Sequence, residues 1–194
     1  MSGVESVVSL RRARAHGTEA LAEVLHSHYA LVWRLARRVA GADSEVEDVV
    51  QDALVAVATS LGRFRGQCKL STWIAGITVR TAVRHAERRR RYEALVAPLE
   101  NDAGTTPGRL SSDDPSKVAE AKDLRAYLLA CVSRLAPEQR ASVCLRYLEG
   151  MALQEVAQAL GVPPGTIKSR LHGARQALRG MMAPYVAESE GETP

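Results

Sequence analysis

Aromatic residues are scarce in this chain: one Phe, two Trp and five Tyr among 194 residues, 4% of the sequence. Runs of β-branched residues are scarce as well. Little is left from which to build a pleated sheet, and the chain reads as all-α. The longest wholly apolar run is ALVAVA at 53–58, far short of the ~20 residues that span a bilayer. Cys68, Cys131 and Cys144 are odd in number and widely spaced, which argues against a disulfide framework and against a zinc site. His26 and His28 lie two apart, a spacing that sends them to different faces of a helix, so no metal is expected. No phosphate-binding glycine loop, nucleophile–base pair or carboxylate dyad is present, so neither a cofactor nor enzymatic activity is expected. In MSGVESVVSLRRARA the arginines follow the apolar stretch, the wrong order for a secretory signal, so the expected location is the cytoplasm.

What is present is segregated charge. The formal net charge is only +4. Residues 43–52, DSEVEDVVQD, hold five acids and no base. Residues 63–91 hold Arg63, Arg65, Lys69, Arg80, Arg84 and Arg88 to Arg91 against Glu87 alone. Opposite charges gathered in separate stretches suit different partners on different surfaces.

The stretch LQEVAQALGVPPGTIKSRLHGARQAL, from Leu153 to Leu178, organises the C-terminal half. Val156, Ala157 and Leu160 share one helical face. Gly161 supplies a left-handed stop, and Pro163 and Pro164 suit the entry to the next helix. Ile167, Leu171, Ala174 and Leu178 then repeat in a four-three-four rhythm. Two short helices on a tight glycine turn predict a helix-turn-helix, whose second helix enters the major groove of DNA. Its outward residues are Lys168, Ser169, Arg170, His172, Arg175 and Arg179, a surface suited to phosphates and base edges.

Taken in order, the first predicted helix covers 18–40, with Leu21, Leu25, Val32, Leu35 and Val39 inward and Gly41 as its stop. Tyr29 and Trp33 belong to the core or its edge. Ser44 and Glu47 have the spacing of a capping box, and Val46, Val49, Val50, Ala53, Leu54, Val57 and Leu61 form an apolar stripe behind it. Glu45, Asp48, Gln51 and Asp52 lie away from that stripe, as a docking patch for a basic partner would. After the connector GRFRGQCKLST a helix is predicted over 72–92. Trp73, Arg80, Arg84 and Arg91 fall on one narrow face, with Arg88 beside them. Arginines that follow a backbone beside a ring that stacks suit single-stranded nucleic acid. The stretch APLENDAGTTPGRLSSDDPS has linker composition. Beyond it a helix over 118–135 carries Leu124, Leu128, Leu129, Val132 and Leu135 inward. Pro137 opens the next, with Val143, Cys144, Tyr147 and Leu148 facing the core and Gly150 at its end. The expected architecture is two small helical domains, 15–92 and 118–184, joined by a flexible linker at 93–117.

Three stretches in order, EDVVQDALVAV, LGRFRGQCKLSTWIAGI and LAPEQRASVCLRYLEGMALQEVAQALGVPPGTIKSRLHGARQALR, resemble the bacterial RNA polymerase sigma factors of the extracytoplasmic-function (ECF) class. The resemblance implies a non-enzymatic specificity subunit that binds core RNA polymerase, recognises the promoter −10 and −35 elements and is held by an anti-sigma factor. It assigns Asp48, Gln51 and Asp52 to the clamp helices of the largest polymerase subunit. It assigns Phe64, Arg65, Gln67, Cys68, Lys69, Leu70, Trp73, Arg80, Arg84 and Arg88 to the −10 strand, and Thr166, Lys168, Ser169, Arg170, His172 and Arg175 to the −35 duplex. Three departures stand out. Gly76 to Arg80 read GITVR where many relatives carry R-I-A-R/V-N, so Arg80 replaces the usual Asn. Gln67-Cys68-Lys69 replaces an acid-Ser pair. Ala152 stands where Ser or Thr often caps a helix. A stand-alone helix-turn-helix regulator with a sensory N-terminal domain is the alternative, although no heptad seam for a dimer is present.

Overall fold

The computed structural model of the protein describes residues 17–41, 45–96 and 121–191. Among the described residues the regular structure is helical throughout. The order is α1 (Gly17–Ala40), α2 (Val46–Ser60), a short 3₁₀ turn (Leu61–Arg63), α3 (Leu70–Val96), α4 (Ala121–Ser133), α5 (Pro137–Val143) running into a π turn (Cys144–Leu148), α6 (Leu153–Leu160) and α7 (Pro164–Gly191).

The first three helices wrap around one another as a bundle. From α1 come Val24, Val32, Leu35 and Val39, from α2 Val46, Val49, Val50, Ala53 and Val57, and from α3 Leu70, Ile74 and Val79, all buried. Leu21, Leu25 and Leu54 pack on that core from its edge. Tyr29 stacks on Trp33 at 6.4 Å but stays 47% exposed, so the pair caps the bundle without entering it. Gly41 ends α1 with a φ of 82°, in the left-handed region that glycine adopts without penalty.

The start of α2 differs from expectation. Its cap position is Glu45, which makes no side-chain cap bond, and Ser44 lies outside the described residues. Glu45 instead turns to Arg89 of α3, 3.1 Å away, so a tertiary ion pair holds the carboxylate that stands before the helix. Helix α3 also runs longer than the predicted 72–92. It takes in four residues of the expected linker, and the remainder of 93–117 lies outside the described residues.

The second bundle contains two corrections. Leu124, Leu128 and Leu129 do not point inward: they are 42%, 40% and 37% exposed. The buried face of α4 is Cys131 and Val132, followed by Leu135 just past its end, while Tyr127 reaches α7 through a bond from its hydroxyl to the Met181 carbonyl. Tyr147 and Leu148 likewise face outward, and Leu145 is fully buried in their place. The reason is the π turn at Cys144–Leu148. Its wider i→i+5 winding moves the following side chains off the 3.6-residue phase.

The helix-turn-helix forms as its residues dictate. Gly161 takes φ 68° at the end of α6. Val156, Ala157, Ile167, Leu171 and Ala174 are buried, and Leu178 packs at the margin. Ala152 has no side-chain acceptor, yet half of a capping box survives, because its N–H donates to the Glu155 carboxylate at 2.8 Å. That bond satisfies one free backbone donor at the start of α6.

The two bundles pack against each other. Helix α6 lies along α3, α5 touches both α3 and α1, and the buried apolar residues of both halves form one cluster.

Candidate nucleic-acid interface

Asp48, Gln51 and Asp52 are all exposed on the outer face of α2, opposite the valine stripe that fixes the helix. Asp52 has a partner that spacing could not disclose. His85 Nε2 of α3 lies 2.8 Å from its carboxylate. The acidic face is therefore braced from below while remaining open to a basic partner.

The connector, the start of α3 and the end of α6 build a cavity of about 430 Å³, lined by Arg63, Phe64, Arg65, Gln67, Cys68, Trp73 and Arg80 with Gln158 and Ala159 of α6. Gly66 turns the loop at φ 71° and leaves Arg65, Gln67 and Lys69 exposed around the opening. Phe64 is buried and packs against Trp73 with ring centroids 5.1 Å apart. Phe64 thus sets the position of the tryptophan and offers little surface of its own. Leu70 is buried in the core and lies outside the cavity lining. Trp73 is half-buried, its exposed part turned to the cavity, so its two expected roles, core plug and stacking platform, are combined in one ring. Burial, with a smaller contribution from Glu155, pushes the Cys68 thiol up, and the sulfur here is an uncharged lining group.

Beyond the cavity the arginines of α3 divide. Arg84 and Arg88 are exposed, and Arg84 is steadied by the Thr81 hydroxyl at 3.1 Å. Arg80 lines the cavity and is exposed as a residue, but its tip reaches across to α6. Its Nη1 donates to the Ala159 carbonyl of α6, and loss of hydration lowers the guanidinium from its ordinary value, with a further push from Arg84.

On the helix-turn-helix, Lys168, Ser169, His172 and Arg175 are exposed along α7, and Thr166 and Arg170 are half-exposed. Ser169 donates to the Thr166 carbonyl at 2.9 Å. The buried faces of Ile167, Leu171 and Ala174 determine which way this polar set points. The three expected groups thus lie on three faces: acids on α2, the ring-and-arginine cavity at the start of α3, and the basic face of α7.

Several residues of the interface between the bundles gave no sign at the level of spacing. Glu149 accepts two bonds from Arg34, at 3.0 and 2.8 Å, and one from Arg38 at 2.8 Å. This bond to Glu149 is the main cause that raises the Arg34 guanidinium. Glu87 and Glu138 meet across the same seam, and a hydrogen bond between them raises Glu87 above the usual carboxylate range. Gly76 was the one legible clue, since a glycine inside a helical pattern often marks a close approach.

Comparison with known proteins agrees with this division. The Sigma-70 region 2 family matches residues 24–92, and Sigma-70, region 4 matches residues 125–178. The chain is 32% identical over 174 residues to the ECF RNA polymerase sigma factor SigE of Mycolicibacterium smegmatis, covering 86% of this chain and 63% of that one. It is 30% identical over 145 residues to the ECF RNA polymerase sigma-E factor of Escherichia coli, covering 73% and 76%. Among solved structures, CnrH in complex with the cytosolic domain of CnrY superposes with a TM-score of 0.62 at 20% identity, over 92% of this chain and 97% of that one. The sigma factor RpoE in complex with the anti-sigma factor NepR from Bartonella quintana gives 0.60 at 20% identity, over 84% and 96%. With both sigma-70 regions present in order, the chain belongs to the ECF RNA polymerase sigma factors of the sigma-70 family.

Proposed function

We propose that this chain binds core RNA polymerase and directs promoter-specific transcription initiation without chemistry of its own. Residues 15–92 dock on the polymerase and capture the −10 strand, and 118–184 hold the −35 duplex. Asp48, Gln51 and Asp52 supply the polymerase contact. Arg65, Gln67, Lys69, Trp73, Arg80, Arg84 and Arg88 supply the strand contact, in which arginines follow phosphates and the indole stacks on a base. Cys68 lines that pocket, and Phe64 and Leu70 support it from within. Thr166, Lys168, Ser169, Arg170, His172 and Arg175 meet the duplex, with bidentate arginine the strongest discriminator of guanine. The intervening segment lets both elements be held at once, so the second contact gains effective concentration.

The observation that carries this reading is one chain presenting an acidic face, a tryptophan beside arginines and a basic helix-turn-helix on separate surfaces. One solved neighbour is a sigma factor in complex with an anti-sigma factor, and by that likeness an anti-sigma factor is the expected antagonist. No helix among the described residues is long and apolar enough to cross a membrane. The test is transcription in vitro with core polymerase on a genomic fragment library, followed by sequencing of the transcript starts. Specific starts that share −35 and −10 elements are expected. Failure to bind core polymerase would overturn the reading in favour of a stand-alone regulator.

A further inference from the structure

We propose that the cavity at the start of α3 selects thymine as the extruded base of the −10 strand, because its wall presents hydrogen-bond donors and thymine alone has no exocyclic amine. This inference rests on the strand-capture role given above and names the base that role selects. Three observations support it.

The first is what the lining can donate and accept. Arg63, Arg65 and Arg80 line the cavity, and Lys69 is exposed beside its opening. All four are donors without acceptors, and the Trp73 indole N–H is a donor as well. No carboxylate is found among the described residues that line it. Glu155 is near enough to add to the rise of the Cys68 thiol, but it is not a lining residue, and it accepts from the Ala152 N–H at 2.8 Å. The Ala159 carbonyl already accepts from Arg80 Nη1. Among the lining side chains, acceptance falls to the amides of Gln67 and Gln158.

The second observation is how the bases meet such a wall. Adenine carries an amine at N6, cytosine at N4 and guanine at N2, whereas thymine presents carbonyl oxygens and a C5-methyl group. An amine turned toward guanidinium and ammonium groups sets donor against donor and loses its water without gaining a partner. A carboxylate is the side chain that takes up the cytosine amine. This chain has Gln67-Cys68-Lys69 where the related pattern has an acid-Ser pair. Thymine fits what is present: its carbonyls accept from the cations, and its ring N–H can donate to the Gln67 amide oxygen.

The third observation is the apolar part of the lining. Phe64 holds Trp73 with ring centroids 5.1 Å apart, and the indole supplies a stacking face. Cys68, uncharged because burial pushes its thiol up, lines the same cavity. A protonated thiol behaves as a small apolar group, which suits the thymine methyl.

The test uses the full chain bound to core polymerase, with core polymerase alone as the blank. Two fluorescent oligonucleotides of equal length, one all thymine and one all 5-methylcytosine, share the methyl group. They differ in the carbonyl or amine at C4 and in the ring N–H. Titration at pH 8 should show the thymine strand bound about tenfold more tightly. Gln67→Glu then places an acceptor-only group at the mouth of the cavity, on an exposed residue. Its negative charge weakens both strands, so the readout is the ratio of affinities, which should move toward 5-methylcytosine by about tenfold. Arg84→Ala, outside the lining, should weaken both strands alike and leave the ratio in place. Equal affinity for the two strands, or a ratio that Gln67→Glu does not move, overturns the thymine reading and leaves strand capture standing. A complex that binds neither strand above the blank removes the strand-capture role, and the thymine reading with it.

Discussion

His85 Nε2 lies 2.8 Å from the Asp52 carboxylate, with the imidazole largely covered and the aspartate 62% exposed. The histidine therefore holds the acid from the bundle side and leaves its outer lone pairs to a partner. Asp52→Lys and Asp48→Lys should each weaken binding to core polymerase by about 2–5 kcal/mol, the cost of breaking an interfacial charge pair. His85→Ala removes only the brace and should change affinity by a few-fold at most. Titration of labelled chain against core polymerase measures all three, with helicity followed by circular dichroism. Unchanged affinity for both aspartate variants would remove α2 from the docking surface.

Gly41 and Arg140 give a second prediction. Gly41 has a φ of 82°, and an added Cβ would collide with the Arg140 guanidinium. Gly41→Ala therefore faces both left-handed backbone strain and a steric clash. The backbone part alone is about 1–2 kcal/mol. Urea unfolding should show the larger loss in the wild-type background and only the backbone part when Arg140 is also Ala. Equal losses in both backgrounds would mean that the side chain yields freely.

Much of this architecture was legible from spacing. The stripes of α1, α2 and the helix-turn-helix follow from periodicity, and Gly41, Gly150 and Gly161 all have positive φ where a helix stop was read. What escaped has physical reasons. The π turn shifted Tyr147 and Leu148 outward, and hydrogen-bond widening leaves no mark in an apolar pattern. Leu124, Leu128 and Leu129 form a regular stripe that the second bundle does not cover, because α4 turns its Cys131–Val132 side to the core. For the candidate site, the acidic face, the basic α7 and the Trp73 face could be read directly. The pairing of Arg80 with Ala159, 79 positions away, could not, since nothing local specifies which helix a long side chain will meet.

The thiols supply a third prediction. Burial pushes the Cys144 thiol up to about 12 from its ordinary value of 9.0, while Cys68 is only half-buried. A thiol-specific reagent at pH 8 should modify Cys68 first and reach Cys144 only after unfolding. The folded protein holds the Cys144 proton more tightly than the unfolded chain does. Its share of stability is thus whole below pH 9 and is lost as pH rises toward 12. Urea midpoints compared between pH 8 and pH 10.5 should fall further for the wild type than for Cys144→Ala. An identical fall in both would assign the alkaline loss to other groups.

The last prediction separates base reading from phosphate holding. Arg170 is half-exposed and lies near enough to Glu87 for its charge to lower that carboxyl against the upward pull of Glu138. Arg175 is exposed farther along the same helix. Both follow core-facing residues that orient α7, so both can reach a groove, but only Arg170 has to leave an acid at the seam to do so. Arg170→Ala should cost about 1–3 kcal/mol at the preferred −35 sequence and flatten discrimination there. Arg88→Ala, on the exposed face of α3, should weaken binding to all sequences alike and reduce the salt slope by roughly one charge. Both variants are to be titrated against matched and scrambled duplexes at several salt concentrations. Glu87→Gln in the wild-type background frees Arg170 and should strengthen the matched complex more than the scrambled one. If Arg170→Ala lowers affinity for both duplexes equally, the residue holds phosphate, and base reading passes to Lys168, Ser169 or Arg175.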